Sequence, residues 1–318
     1  MWMEGSTSGV YRMWFQHMDI NRIPFYQYNT IIVGTGAAGL NAAVTLHKLG
    51  QKNIALITEG RYMGTSRNTG SDKQTYYKMT QCGSEPDSVR KMAKTLFEGG
   101  CVDGDIAMAE AAGSLRAFYH LVDIGVPFPF NKSGEYVGYK TDHDPLKRGI
   151  SAGPLTSKYM TECLERQAEE RGIPFFDGYQ AVRLLTEEKD GEKRAAGIIA
   201  LNKQKAASPD ERYAVFSAVN IIWATGGEAG MYQASVYPVS QTGGMGVLLE
   251  AGAVAKNLTE SQFGIASVKH RWNLSGTFQQ CLPRYLSAEQ DGSHEREFLN
   301  DYFDTPRQLL TAIFLKGY

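Results

Sequence analysis

Apolar positions along this chain switch between short unbroken runs and helical spacing. The run Thr30-Ile31-Ile32-Val33 stops at Gly34, and beyond it Leu40, Ala43, Val44 and Leu46 share one face of a helix. That pattern predicts a buried strand, a glycine turn and a helix over 37–49 packed by one face on a sheet. Gly50 stops the helix. Ile54-Ala55-Leu56-Ile57-Thr58 then predicts a second buried strand, which ends at Glu59.

From Gly60 to Cys82 the chain is dense in Gly, Thr, Ser and Asn, without clear periodicity. A loop of that length inside a compact domain is usually functional, and this one leaves the end of the second strand. Residues 86–125 read as two helical segments, the first opening after Pro86 and the second running from Asp105 to Val122. A loop with Pro127, Pro129 and Gly134 follows, and then a helix from Leu155 to Arg171 that Gly172 stops. Glu165, Glu169, Glu170, Arg166 and Arg171 lie on it, where pairing four residues apart accounts for them.

Over 174–218 the pattern turns to antiparallel strands. Val182–Thr186 and Ala195–Leu201 flank the turn signal Asp190-Gly191, and Tyr213–Phe216 returns after Ser208-Pro209. The run Val219-Asn220-Ile221-Ile222-Trp223 then predicts a separate buried strand closing at Ala224-Thr225-Gly226-Gly227. The expected class is α/β: a Rossmann-like parallel sheet with an inserted antiparallel meander and part of an α+β cap. No internal repeat is visible.

The turn at Gly34-Thr35-Gly36-Ala37-Ala38-Gly39 carries the chemistry. It brings bare backbone N–H groups and a helix N-terminus to one point, where the helix dipole favours a pyrophosphate. Gly34 serves the tight turn, Gly36 the close approach to phosphate and Gly39 the packing of helix on sheet. Glu59, ending the next strand, can take ribose hydroxyls. Strand, turn, helix, strand and acid in register predict a bound dinucleotide. NAD and FAD both use such a turn; the long insertion before the second glycine site favours FAD.

Charge narrows the partners. Lys+Arg of 33 against Asp+Glu of 34 leaves a net charge of -1, so no nucleic-acid partner is expected. No apolar stretch approaches the ~18 residues of a membrane span. Cys82, Cys101, Cys163 and Cys281 are widely spaced, offering neither a zinc ribbon nor a disulfide scaffold. They read as buried small apolar groups in a reducing compartment, and no metal site is expected. With no basic and apolar leader at Met1-Trp2-Met3-Glu4-Gly5-Ser6, the expected location is cytoplasmic.

Four stretches together carry a family resemblance: Gly34 to Gly39 with Glu59, Gly125-Val126-Pro127-Phe128, Ala224-Thr225-Gly226-Gly227, and Glu250-Ala251-Gly252-Ala253 after Gly243-Gly244. From about Asn29 onward the chain resembles the succinate dehydrogenase/fumarate reductase flavoproteins, which include L-aspartate oxidase. The resemblance implies an extended FAD. Gly34, Gly36, Ala37, Ala38 and Gly39 would hold its pyrophosphate and Glu59 the ribose. Gly64, Thr65 and Ser66 would border the flavin side, Ala181 and Val182 would meet adenine through backbone, and Ala224, Thr225, Gly226 and Gly227 would pack on the far side.

Departures from the family pattern are equally specific. Members that bind FAD covalently carry a histidine in a Ser-His-Thr context, whereas this chain reads Thr65-Ser66-Arg67-Asn68-Thr69-Gly70, so non-covalent FAD is expected. The Gln-Phe-His-Pro-Thr stretch of fumarate-handling members becomes Gln262-Phe263-Gly264-Ile265-Ala266. Their Arg-Gly-Glu-Gly-Gly arginine falls near Gln280-Cys281-Leu282-Pro283-Arg284, and Thr-Gly-Asp-Gly becomes Gln241-Thr242-Gly243-Gly244. The scaffold matches and the dicarboxylate machinery does not.

The expected function is therefore hydride transfer between flavin N5 and a small, carboxylate-bearing substrate, with an electron-transfer partner as a further expectation. Arg271 and Arg284 are candidates to anchor the substrate. His143, in Asp142-His143-Asp144, is a candidate acid–base group set in what otherwise reads as a hydrated loop. A catalytically silent flavin-binding module and a nicotinamide-dependent dehydrogenase are the alternatives. The expected organisation is an extension over 1–27, an FAD-binding domain over 28–256 and a partial cap over 257–318. Ending on the apolar stretch Leu309 to Phe314, the chain reads as the N-terminal part of a longer member.

Overall fold

A computed structural model describes residues 23–70, 74–100, 102–141, 144–227, 237, 243–256, 266–267, 272–273 and 276–316. In chain order the elements begin with β1 (Phe25–Val33), α1 (Ala37–Lys48), β2 (Ile54–Thr58) and the single turn α2 (Thr65–Asn68). Then come β3 (Tyr76–Tyr77), α3 (Val89–Glu98), α4 (Gly104–Asp123), β4 (Gly149–Ile150) and α5 (Thr156–Glu170). The strands β5 (Phe175–Asp177), β6 (Tyr179–Lys189), β7 (Glu192–Asn202) and β8 (Tyr213–Trp223) precede α6 (Met245–Glu250). The pair β9 (Ala266–Ser267) and β10 (Trp272–Asn273) and the helix α7 (Pro306–Lys316) complete the series. Among the described residues one compact unit holds 23–69 and 157–255, and a second holds 70–156 and 256–316.

The first unit is built on a six-stranded sheet in the order β5-β2-β1-β8-β7-β6. Its β5, β2, β1 and β8 run parallel, while β8, β7 and β6 form an antiparallel meander. Every residue of β2 is buried, as befits a parallel strand covered on both faces. Ile31, Val33, Ile57, Ile198 and Phe216 pack together on one face with Tyr26, Phe176, Tyr179 and Trp223 around them. Each fully buried Ile or Leu there contributes roughly 1.5–3 kcal/mol. Leu40, Ala43 and Val44 form the buried stripe of α1, as the helical spacing requires.

One expectation is corrected. The third meander strand and the parallel strand before Ala224 are a single strand, β8. Its first half pairs antiparallel with β7, and from Val215 onward it pairs parallel with β1, from Phe25↔Val215 to Val33↔Trp223. Ser217-Ala218, between the two apolar stretches, contains neither glycine nor proline, so nothing interrupts the extended backbone. The Asp190-Gly191 turn is as expected: both residues have positive φ, +56° and +79°, which a two-residue hairpin loop requires.

In the second unit α3 and α4 pack through Met92, Ala93, Ala107 and Ala111. Their starts are capped by side chains: Ser88 accepts the N–H of Lys91, and Asp103 those of Asp105 and Ile106, each at 3.1 Å. Arg148, just before β4, is buried among polar partners. Its Nε and Nη2 donate to the two oxygens of Asp87 at 2.9 and 2.8 Å, and Nη1 donates to Thr95 at 2.9 Å and Tyr77 at 3.2 Å. Asp144 lies 3.4 Å from Nη1 and accepts the Tyr77 hydroxyl. Burial opposes ionisation of Asp87, but the hydrogen bonds from Arg148, Thr80 and Ser88 outweigh it and hold its carboxyl below the ordinary range.

Of the cysteines, Cys163 is buried, Cys82 half-buried and Cys281 exposed, so the expectation of uniformly buried thiols holds for Cys163 alone among the described three.

Candidate functional site

The C-terminal ends of β1, β2 and β8 open onto a cleft of about 390 Å³ in the first unit. Its floor is the turn from Gly34 to Ala38. Gly34 has φ +107°, and a Cβ there would lie 2.3 Å from the Ala224 carbonyl oxygen, so only glycine fits between β1 and the residue ending β8. A Cβ on Gly39 would sit 2.0 Å from the Gly34 carbonyl oxygen, which locks the first turn of α1 against the loop. Gly36 is the N-cap of α1 and supplies no capping side chain. The helix therefore presents its positive end to the cleft, with Ser66 Oγ accepting the Ala37 N–H at 3.3 Å.

Two threonines tie this turn to β2. The Thr35 hydroxyl donates to Thr58 Oγ1 at 3.0 Å, with both side chains buried. Glu59 borders the cleft, and its Oε1 accepts from Lys203 Nζ at 2.8 Å. The opposite wall is the end of β8. Trp223 Nε1 and Thr225 Oγ1 are both buried there without a hydrogen-bond partner among the described residues. A Cβ on Gly244 would lie 2.5 Å from Thr225 Oγ1 and 2.7 Å from Trp223 Nε1, so the glycine before α6 lies directly against the pair. Unpartnered buried donors are costly, about 1–3 kcal/mol each, and mark a wall built for a polar ligand.

A glycine turn at a helix start suits an anionic ligand such as a phosphate, and comparison with known proteins agrees with a nucleotide cofactor. A family model described as an FAD binding domain matches residues 29–283. The chain belongs to that family. FAD is accordingly its cofactor, and the match favours FAD over the nicotinamide alternative.

Among relatives of the FAD-binding chain is L-aspartate oxidase of Agrobacterium fabrum, 28% identical over 242 residues, covering 74% of this chain and 42% of the relative. The 8-methylmenaquinol:fumarate reductase flavoprotein subunit of Wolinella succinogenes is 27% identical over 271 residues, covering 83% of this chain and 42% of the relative. The open conformation of a flavocytochrome c3 fumarate reductase superposes with a TM-score of 0.69 at 17% identity, over 98% of this chain and 54% of that one; at that identity the likeness speaks for the fold. The chain spans about half the length of the curated relatives it matches. The resemblance to the succinate dehydrogenase/fumarate reductase flavoproteins read from the sequence is thus borne out, as is the α/β fold.

The structure brings Gly34, Gly36, Ala37, Ala38, Glu59, Gly64, Thr65, Ser66, Ala181, Ala224, Thr225 and Gly226 together around the FAD cleft. Gly39 lies behind the turn, buried. Val182 packs on the other face of the sheet, with Ile23, Leu185, Ile199 and Val215. Gly227 is exposed and is not among the lining residues. Trp223, Gly244, Tyr179 and Gln180 line the cleft without having been singled out. Trp223 could have been found as the residue next to Ala224-Thr225-Gly226-Gly227; Tyr179 and Gln180 are brought in by sheet register alone.

The catalytic candidates fare differently. His143 and Arg271 lie outside the described residues. Arg284 belongs to the second unit, where its Nη2 meets Glu297 Oε1 at 2.5 Å with the side chain 72% exposed. Asp144, beside His143 in the sequence, serves the buried Arg148 network. A broader hollow of about 500 Å³ beside α7, lined by Tyr302, Asp304, Arg307 and Gln308, contains no buried unpartnered polar side-chain atom among the described residues. No group of three or more metal-ligating side chains occurs among the described residues. No described helix is long and apolar enough to cross a membrane.

Proposed function

We propose that this chain is the cofactor-holding part of an FAD-dependent oxidoreductase that moves hydride between flavin N5 and a small, carboxylate-bearing substrate. The observation that carries the reading is the cradle itself: a glycine turn at a helix start whose N-cap has no side chain, facing two buried polar atoms without partners among the described residues. FAD, when bound, supplies the two-electron redox chemistry, and the protein supplies binding, orientation and electrostatics.

In this reading Gly34 to Gly39 hold the pyrophosphate through main-chain N–H groups and the positive end of α1. Glu59 takes ribose hydroxyls while Lys203 offsets its charge, and the backbone at Ala181 borders adenine. The run Thr65 to Gly70 lacks the histidine that the covalently flavinylated members carry in a Ser-His-Thr context, so the cofactor is held without a covalent bond. Arg271 or Arg284 anchors a substrate carboxylate in two-pronged fashion, and His143 moves the accompanying proton. For Arg284 this requires Glu297 to yield or share its guanidinium. The names of the relatives support a small-molecule substrate and an electron-transfer partner; action in the cytoplasm is part of the same proposal.

Purification of the full chain tests the proposal. It should come off the column yellow or take up added FAD, and the bound flavin should bleach anaerobically with a reducing substrate or partner. A colourless protein that refuses FAD overturns the reading. A yellow protein whose flavin no donor reduces, even when the chain is extended to the full length of its relatives, is instead a silent flavin-binding module.

A further inference from the structure

Glu162, Glu165 and Glu169 lie on one face of α5, spaced three and four residues apart. Of the pairing expected within this helix, Arg166–Glu170 is present at 3.9 Å, alongside Lys158–Glu162 at the same distance. Glu165 is used otherwise. Its Oε1 accepts from Arg61 Nε at 2.5 Å, and its Oε2 accepts from Arg67 Nη2. Arg61 opens the loop after β2 and Arg67 lies in α2, near the loop's end. One carboxylate, with an oxygen for each, holds both.

We propose that Glu165 is a positioning residue of the cofactor site, a clasp that fixes the loop 60–68 over the start of α1. Between the two arginines lie Gly64, Thr65 and Ser66, all lining the cleft. Ser66 Oγ accepts the Ala37 N–H, and a Cβ on Gly64 would come within 3.8 Å of Gly36 Cα. Fixing the ends of the loop therefore fixes the residues that touch the cradle. Glu165, Arg61 and Arg67 are shielded, with side chains 11%, 17% and 14% exposed, whereas Glu169 and Glu162 are 54% and 42% exposed. Solvent weakens the outer two contacts, so the inner carboxylate dominates.

The loop's own packing serves the same end. Arg61 stacks on Phe175 with 4.1 Å from guanidinium carbon to ring centre, and its main-chain N–H donates to Asp177 at 2.9 Å. Arg67 lies over Tyr62 at 5.1 Å. Its Nε is buried without an acceptor among the described residues. The guanidinium is thus placed for Glu165 at the expense of its own satisfaction, which a surface ion pair would not require.

The inference rests on the FAD reading of the cradle, and the experiment separates the two. FAD affinity and release are measured by flavin fluorescence on the full chain for wild type, Glu165→Gln, Arg67→Gln and the double variant. Trypsin cleavage after Arg61 and Arg67 is followed with and without FAD. Glu165→Gln should weaken FAD by about tenfold or more, chiefly through faster release, and should speed cleavage after Arg67 in the apoprotein as well. Arg67→Gln should also weaken FAD, and the double variant should be no worse than Glu165→Gln alone, because the contact that Arg67→Gln removes is already lost in Glu165→Gln. Glu162→Gln and Glu169→Gln should each cost less than about threefold. Wild-type affinity, release and trypsin resistance in Glu165→Gln would overturn the clasp, as would full additivity in the double variant. Should Glu165→Gln fail to fold, Arg67→Gln decides alone: unchanged FAD binding refutes the inference. If wild type itself refuses FAD, the cradle reading fails, while the apoprotein cleavage still judges the clasp.

Discussion

A single methyl group decides the floor of the cofactor site. At Gly34 an alanine would need positive φ and would place its Cβ 2.3 Å from a carbonyl oxygen. Gly34→Ala should therefore cost about 1–3 kcal/mol of stability and abolish FAD uptake, measured by thermal unfolding and flavin titration. Trp223 offers an opposed pair of effects. Trp223→Phe removes a buried donor that has no partner among the described residues, so the apoprotein should gain about 1 kcal/mol or more, while FAD binding weakens by about 0.5–1.5 kcal/mol. Unfolding and binding that shifted in the same direction would show that the indole N–H does not serve the ligand. The floor was legible in the sequence because only glycine meets its steric demands, and spacing exposes glycines. The wall was not: whether an indole nitrogen has a partner depends on Gly244, twenty-one residues away in sequence and adjacent in space.

Elements in the second unit turn on one buried ion pair. Arg148 before β4 and Asp87 before α3 have side chains 1% exposed, so each needs the other. Arg148→Met leaves Asp87 charged and uncompensated, and should cost about 3–5 kcal/mol in denaturant unfolding. The pH dependence follows from the depressed carboxyl of Asp87. Its contribution is complete above the ordinary carboxylate range, near pH 4, and is lost as pH falls through the lower value it has when folded. Thermal unfolding of wild type should therefore drop on acidification below that range, and an Asp87→Asn variant should show a shallower drop from a lower start. Helix positions here were readable from Pro86, Gly125 and the apolar spacing. The ion pair was not, since sixty-one residues separate its partners and the sequence presents them as ordinary surface charge.

At the scale of the whole chain, the nucleotide-binding unit is assembled from two separated stretches, 23–69 and 157–255. Both stretches line the one cleft, Gly34 and Glu59 from the first and Ala181 and Thr225 from the second, so a cofactor held there would link them. FAD at about a hundred times its Kd should raise stability by about 2.7 kcal/mol, seen as a higher melting temperature. After full denaturation the flavin should separate from the protein on a sizing column; a flavin-bearing chain in denaturant would overturn the non-covalent reading. The parallel core and the cofactor turn were visible as runs of apolar residues ending in glycine. The merging of two predicted strands into β8 was hidden, because an unbroken strand and two abutting ones share a single pattern.

That merging has an evolutionary corollary. β8 works as a ruler with the hairpins at one end and the cleft-lining dipeptide Thr225-Gly226 just past the other. Losing or gaining one residue anywhere along it would turn every downstream side chain to the opposite face, swinging the indole of Trp223 out of the wall. Lineages carrying this scaffold should accept length changes in the loops on either side of the ruler and almost none within it.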